Sequence, residues 1–317
     1  MTKKPELLVT AGSLEQLQKY MQAGADAVLV GEQKYGMRLP GDMTLAHIRE
    51  AVQRGKEAGV KIYVAVNNIM DNQVLHELPA YLTALQEAGV DAIVYGDPSV
   101  LMTVREAAPQ LPLHWNAEMT STNYKTATYW AKRGAKRVVL ARELNMDQVL
   151  EMKEQLPNME VEVQVHGMTN IYHSKRNLVK SYMSHQNVRN HDAVEVHGED
   201  LTIDRGLFLI EQERQEEKYP IYEDINGTHI MSSDDICMLE NIHELLEGRI
   251  DSLKIECLLK SDRYNETIIR SYRLAIDAYT ADPENYEFQP EWLEAVQEVQ
   301  DPERELSYGF FYKEQVY

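Results

Sequence analysis

The chain has 317 residues, 44% of them hydrophobic, with 51 Asp and Glu against 32 Lys and Arg, for a formal net charge of −19. That apolar share rules out global disorder, and the acidity argues against a DNA-coating protein, which needs a basic face for phosphate. Two cysteines, Cys237 and Cys257, are too few for a disulfide scaffold or a four-thiolate site, and no apolar run nears the ~20 residues that span a bilayer.

The opening Met-Thr-Lys-Lys-Pro has no apolar stretch behind it, so no secretory signal is expected and the chain reads as cytoplasmic. From there one unit recurs: an amphipathic helix, a Gly, a few residues, then an apolar strand. It appears at Gly24–Val28, Gly59–Ile62, Gly89–Ile93, Gly134–Val138 and Gly248–Leu253. A Gly just past a helix supplies the left-handed residue that stops it. Ser13 with Gln16, and Asn145 with Gln148, read as capping boxes, and Asp97-Pro98 pairs an N-cap with proline at the first helical position. Strands are predicted near 6–11, 27–31, 61–67, 92–96, 112–118, 137–142, 160–166 and 252–256. Eight alternating units predict an α/β fold of the TIM type, a (β/α)8 barrel over 1–284. One connection breaks the rhythm. Residues 167–233 read as an insertion between strand seven and its helix, with β-like runs at 201–203 and 207–210 and a turn at Asn226-Gly227. Residues 285–317 follow as an acidic and aromatic tail.

In barrels of this kind the site lies at the carboxyl ends of the strands, and period-two alternation sorts each strand by face. Strand seven puts Glu162, Gln164 and His166 on one face, opposite Val161, Val163 and Val165. Strand eight puts Lys254 and Glu256 opposite Leu253 and Ile255, and strand six ends in Arg142-Glu143. Arg142, His166, Lys254 and Glu256 are therefore the candidates for the barrel mouth. Two readings stand for them. Glu256 with Lys254 or Arg142 is a structural ion pair or a ligand contact, and His166 is a satisfied core histidine or a ligand contact. Asp97 reads as a helix cap, and Asn67 and Asn68 as residues that close a strand-to-helix turn. The chain has no Gly-x-Ser-x-Gly elbow, His-Glu-x-x-His, P-loop or Gly-x-Gly-x-x-Gly after a strand, and its histidines lack zinc spacing, so no metal is expected. From His166 to His191 there is no acid, while Lys175, Arg176, Lys180 and Arg189 all fall inside. Such a segment in an acidic chain is a solvated loop or a place for an anionic partner such as RNA phosphate.

A resemblance bears on these alternatives. The stretches Glu6–Glu15, Gly24–Gly31, Arg142–Leu144, Glu162–Gly167, Gly227–Cys237, Ser252–Glu256, Lys260–Tyr264 and Gly309–Phe311 match, in order, the pattern of the collagenase-like peptidase family U-32. The chain resembles in particular the tRNA-hydroxylation branch of that family. Relatives there carry a cysteine after His-Gly and another seven residues later, part of a four-cysteine set that holds an iron–sulfur cluster. This chain has Asn170 and Asn177 at those two places, and amides are poor ligands for a cluster that wants thiolates. The resemblance thus implies a cluster-lacking protein that binds no cofactor itself and works with a cluster-bearing paralogue. It implies a part in 5-hydroxylation of the tRNA wobble uridine with prephenate as co-substrate. Lys175, Arg176, Lys180 and Arg189 would then meet RNA phosphates, and Arg142 or Lys254 the carboxylate of prephenate. A collagenase-like peptidase, for which no nucleophile–base pair is recognisable, and a non-catalytic scaffold subunit are the rival implications.

Overall fold

The computed structural model describes residues 4–116, 122–190 and 206–314, without the side chains of 186–190. The strand run expected at 201–203, the end of the strand expected over 112–118 and the Arg189 side chain lie outside that set. The described residues form two units. One comprises residues up to 167, 236–302 and those from 307 onward, and the other comprises those between 168 and 235 together with 303–306.

The first unit begins with β1 (Glu6–Thr10), α1 (Leu14–Ala23), β2 (Ala27–Val30) and α2 (Leu45–Ala58). It continues through β3 (Lys61–Val66), α3 (Asn72–Ala88), β4 (Ala92–Tyr95) and α4 (Pro98–Ala107). β5 (Leu113–Asn116), α5 (Tyr124–Ala131), β6 (Ala135–Val139), α6 (Met146–Gln155) and β7 (Glu160–Gly167) follow. Each strand from β1 to β7 pairs in parallel with the next. The second unit supplies β8 (Asn170–Ser174), α7 (Leu178–Asn190), β9 (Phe208–Ile210), β10 (Lys218–Asp224) and β11 (Gly227–Met231). The chain then passes through β12 (Asp235–Cys237) and α8 (Ile242–Glu247) to β13 (Ser252–Ile255), α9 (Asp262–Ala281) and α10 (Pro290–Val299). β13 pairs in parallel with both β7 and β1. That double pairing closes an eight-stranded parallel barrel with helices between its strands, the TIM-type fold that the recurring unit predicts.

Local chemistry explains the element boundaries. Gly24, Gly59 and Gly89 end α1, α2 and α3 in the left-handed conformation, and their N–H groups satisfy carbonyls of the last turn. The Asn145 side chain accepts from Gln148 N and the Gln148 side chain accepts from Asn145 N, a reciprocal capping box. The box expected at Ser13 is half formed: Ser13 Oγ accepts from Gln16 N, but Gln16 Oε1 turns to Gly12 N. Inside the barrel Leu8, Ala27, Leu29, Tyr63, Ala65, Ala92, Val94 and Val139 pack in one apolar cluster. Alanines on three adjacent strands leave room there for the larger side chains opposite, which closes the interior as a core.

The second unit is a four-stranded antiparallel sheet in the order β8-β11-β10-β9. The expected turn falls at Ile225-Asn226, where Asn226 N donates to Asp224 Oδ1 at 2.8 Å before β11 opens at Gly227. Tyr222, His229 and His173 stack across three strands, with centroids 4.8 and 4.7 Å apart, and His229 Nε2 lies 3.0 Å from Asp224 Oδ1. Cross-strand ring pairs of this kind fix register.

Candidate functional site

The amino-terminal half of the barrel interior holds a buried ion network. Arg137, on β6 and only 1% exposed, donates to Glu6 Oε1 at 2.6 Å, to Glu162 Oε2 at 3.1 Å and to Glu160 Oε2 at 2.7 Å. Tyr63 OH and Lys61 Nζ donate to the other Glu6 oxygen at 2.7 and 3.0 Å. Burial pushes the Glu6 carboxyl up, but Arg137, Lys61 and Tyr63 together outweigh it and hold it at about 2. Burial pushes Glu162 up and prevails over Arg137 and Lys254. His114, on β5 with its ring centroid 4.7 Å from that of Tyr63 in an edge-to-face pair, is pulled down to about 3 by burial and then by Arg137. Sequence reasoning did not single out Arg137. The available signal was alternation: on β6 it stands two positions before Val139, which faces the core, so a cation there needed an acid.

The carboxyl ends of the strands form the mouth. Lys254 Nζ and Glu256 Oε2 are 3.2 Å apart, and Glu256 Oε1 accepts from Thr10 Oγ1 at 2.7 Å and from Leu258 N at 3.3 Å. Thr10 Oγ1 in turn accepts from Cys257 N at 2.9 Å. These bonds tie the end of β13 to the end of β1. They also require Gly167: its φ is 99°, and a Cβ there would stand 2.3 Å from Glu256 O. Arg142 lies three residues past the end of β6, half-buried, with no hydrogen bond or ion pair among the described residues.

His166 is the correction. Its alternation with Glu162 and Gln164 predicts a side chain in the barrel, yet it is fully buried with Nε2 2.8 Å from Tyr264 OH and its ring against Tyr264 and Tyr272 of α9. The cause is a bulge. β7 runs in register with β13 through Lys254↔Gln164, then skips Val165 so that Ile255 pairs with His166. One extra residue moves everything beyond it to the other face. Of the four mouth candidates, the structure brings Lys254 and Glu256 together, leaves Arg142 apart and turns His166 toward a helix.

A pocket of about 240 Å3 opens where β3, β4 and β5 end, lined in part by Met37, Arg38, Asn67, Ile69, Asp97 and Asn116. The segment carrying Met37 and Arg38 is tied to the end of β3: Asn68 N donates to Tyr35 O at 3.0 Å, Asn68 Nδ2 to Lys34 O at 3.1 Å and Met37 N to Asn67 Oδ1 at 3.0 Å. Arg38 itself sits at φ 56°, a left-handed conformation that L residues adopt at a cost and that recurs at ligand clamps. In the second unit Lys175, Arg176 and Lys180 are exposed, in the turn after β8 and the first turn of α7. The charged ends of Arg176 and Lys180 have no acidic partner among the described residues, although Lys180 N donates to Glu223 Oε2 at 3.4 Å.

The sequence of this chain matches the description Peptidase family U32 over residues 12–316. The chain belongs to peptidase family U32. This U32 chain is 47% identical to tRNA hydroxylation protein P2 of Bacillus subtilis strain 168, over 99% of its own length and 100% of that protein's. It is 36% identical to tRNA hydroxylation protein P1 of the same strain, over 100% of its own length and 74% of that protein's. Among solved structures it is similar to the U32 peptidase Mk0906, with a TM-score of 0.50 at 15% identity, covering 80% of this chain and 92% of the other. That last likeness carries the fold alone. No helix among the described residues is long and apolar enough to cross a membrane.

Proposed function

We propose that this U32 protein takes part in 5-hydroxylation of the wobble uridine of tRNA, with prephenate as co-substrate and a cluster-bearing paralogue as partner. The observation that carries the reading is the end-to-end match at 47% identity to a tRNA hydroxylation protein, with neither chain much longer than the other. The exposed Arg176 and Lys180 supply positive charge for RNA phosphate in a chain that is acidic elsewhere. Arg142, a guanidinium beside the mouth with no partner among the described residues, suits a planar carboxylate.

The redox step belongs to the partner in this reading. Asn170 stands where the family resemblance places a thiolate, and its amide nitrogen donates to Tyr172 O at 3.0 Å and Ile230 O at 3.4 Å. Cys237 and Cys257 are buried in the other unit, and burial followed by the Glu256 charge pushes the Cys257 thiol up. These donors do not suit an iron–sulfur cluster. A scaffold role is the second reading, and the closed Lys254–Glu256–Thr10 set favours it, since those groups already satisfy one another.

The test is mass spectrometry of tRNA nucleosides from a strain lacking the gene, with a complemented control. Loss of 5-hydroxyuridine and its derivatives, restored by the gene, is expected, and an unchanged profile overturns the reading. Complementation with Arg142→Ala then separates the roles: a catalytic chain loses modification with its fold intact, whereas a scaffold retains it.

A further inference from the structure

The pocket at the ends of β3, β4 and β5 has a polar edge whose donor and acceptor are assigned by the protein's own bonds. Asn67 accepts Met37 N–H through Oδ1, which fixes the orientation of its amide. Its NH2 group has no partner among the described residues and is left to donate into the pocket that Asn67 lines. Asp97 caps α4 by accepting Ser99 N–H at 2.8 Å through Oδ1. Its second oxygen has no partner among the described residues and is left to accept. Val66 of β3 pairs with Tyr95 of β4, so Asn67 and Asp97 stand one and two residues beyond neighbouring strand ends. The pocket thus offers a donor and an acceptor from adjacent strands, next to Met37, Ile69 and Pro98, which present apolar surface.

From this edge we infer that the pocket receives an unpaired uracil base. The inference rests on the tRNA reading above and names the place where that reading's base would go. Uracil presents an oxo acceptor at position 4 beside an N3–H donor, the complement of the Asn67 amide and the Asp97 carboxylate. Cytosine presents an amino donor and a ring-nitrogen acceptor, mismatched at both points, and adenine does the same. A site that leaves its own polar groups unpaired with the wrong ligand discriminates strongly. Guanine shares the oxo and N–H pattern but brings a larger fused ring system to seat against the same edge. Arg38 lines the same pocket and brings a cation for the nucleotide's phosphate. A base in a single-stranded loop enters such a pocket without breaking a pair, and apolar side chains take its faces.

The test is ligand-observed NMR titration of the full chain with UMP, CMP and GMP at millimolar concentrations. UMP is expected to bind about tenfold or more tighter than CMP and tighter than GMP. Asn67→Asp keeps an oxygen for Met37 N–H, and Asp97→Asn keeps the cap of Ser99 N–H, so both retain the bonds that hold the fold. Either variant abolishes the preference for UMP, and the double variant inverts it toward CMP. Equal affinity for UMP and CMP, no saturable UMP binding, or an unchanged preference in the variants overturns the inference. A second measurement needs no variant: photo-crosslinking of an anticodon stem-loop RNA carrying 4-thiouridine, mapped by peptide mass spectrometry. Crosslinks in 67–69 or 96–98 are expected, and their absence there overturns the proposal. The two readings fail separately. Lost tRNA hydroxylation without UMP preference sinks the pocket alone, and UMP preference with an unchanged tRNA profile sinks the hydroxylation reading alone.

Discussion

The sealed amino-terminal interior of the barrel and the pocket at the ends of β3 and β4 treat polar groups in opposite ways. At the amino-terminal end, Glu6 has a partner for each of its oxygens, and buried Arg137 bonds two buried carboxylates and the half-exposed Glu160. At the carboxyl end, Asn67 and Asp97 each use one half of the side chain on the backbone and leave the other half toward a pocket. The difference follows solvent access. A charge sealed in the interior is tolerable only when paired, whereas a group at the rim is hydrated until a ligand replaces the water. The lower cluster therefore reads as architecture and the upper rim as the place for chemistry, as in barrels generally.

The largest test of that contrast is Arg137→Ala. It leaves Glu6 and Glu162 buried without their main cation and should cost about 3–5 kcal/mol. Chemical denaturation measures it, and a loss below ~1 kcal/mol would mean the cluster holds nothing together. Acid comes next. His114 has a folded pKa of about 3 against an ordinary 6.5, so the unfolded chain binds the extra proton first as pH falls. Its contribution is therefore intact above pH 6.5 and declines below it, by at most about 1.4 kcal/mol per pH unit. Glu6, held at about 2 against 4.5, adds a second decline below about pH 4.5. His114→Leu should flatten the stability curve between pH 6.5 and 4.5 and make the limb below it shallower, leaving the Glu6 decline, and an unchanged curve would assign the decline elsewhere.

At the mouth the expected stability effects shrink. Glu256→Gln keeps an acceptor for Thr10 and Leu258 but loses the charge facing Lys254, which should cost about 1–3 kcal/mol. Arg142→Ala removes no bond to the described residues and should shift stability by no more than ~0.5 kcal/mol while complementation of tRNA hydroxylation falls. A large stability loss there would join Arg142 to the architecture and blur the contrast. Lys180→Ala, in the other unit, should weaken tRNA binding uniformly across sequences and reduce the salt slope by about 1. A sequence-dependent loss instead would make it a base contact.

The barrel was legible because its signal is repeated and local: glycine after a helix, apolar strand, cap, helix. Single faces were legible where alternation ran unbroken, as at Lys254 and Glu256. They failed at His166, because the skipped Val165 in β7 is a property of pairing with β13 and leaves no mark in the local pattern. Arg142 was placed at a strand end, but β6 stops at Val139. Arg137 escaped notice because its partner Glu6 lies 131 residues away. Asp97 was read as the cap of α4, which it is, whereas Asn67, read as closing the turn after β3, instead holds Met37 N of the segment that follows β2. What the pattern of types does not carry is that each has a second half left over, since that depends on which atom the backbone takes.

Closure of the ring has a consequence for synthesis. β1 takes its second neighbour from β13, and Thr10 meets Glu256 across 246 residues of chain. Until β13 has left the ribosome, both β1 and β7 carry an open edge of unpaired backbone groups. A nascent chain or a fragment ending before Ser252 is therefore a sheet with two adhesive borders.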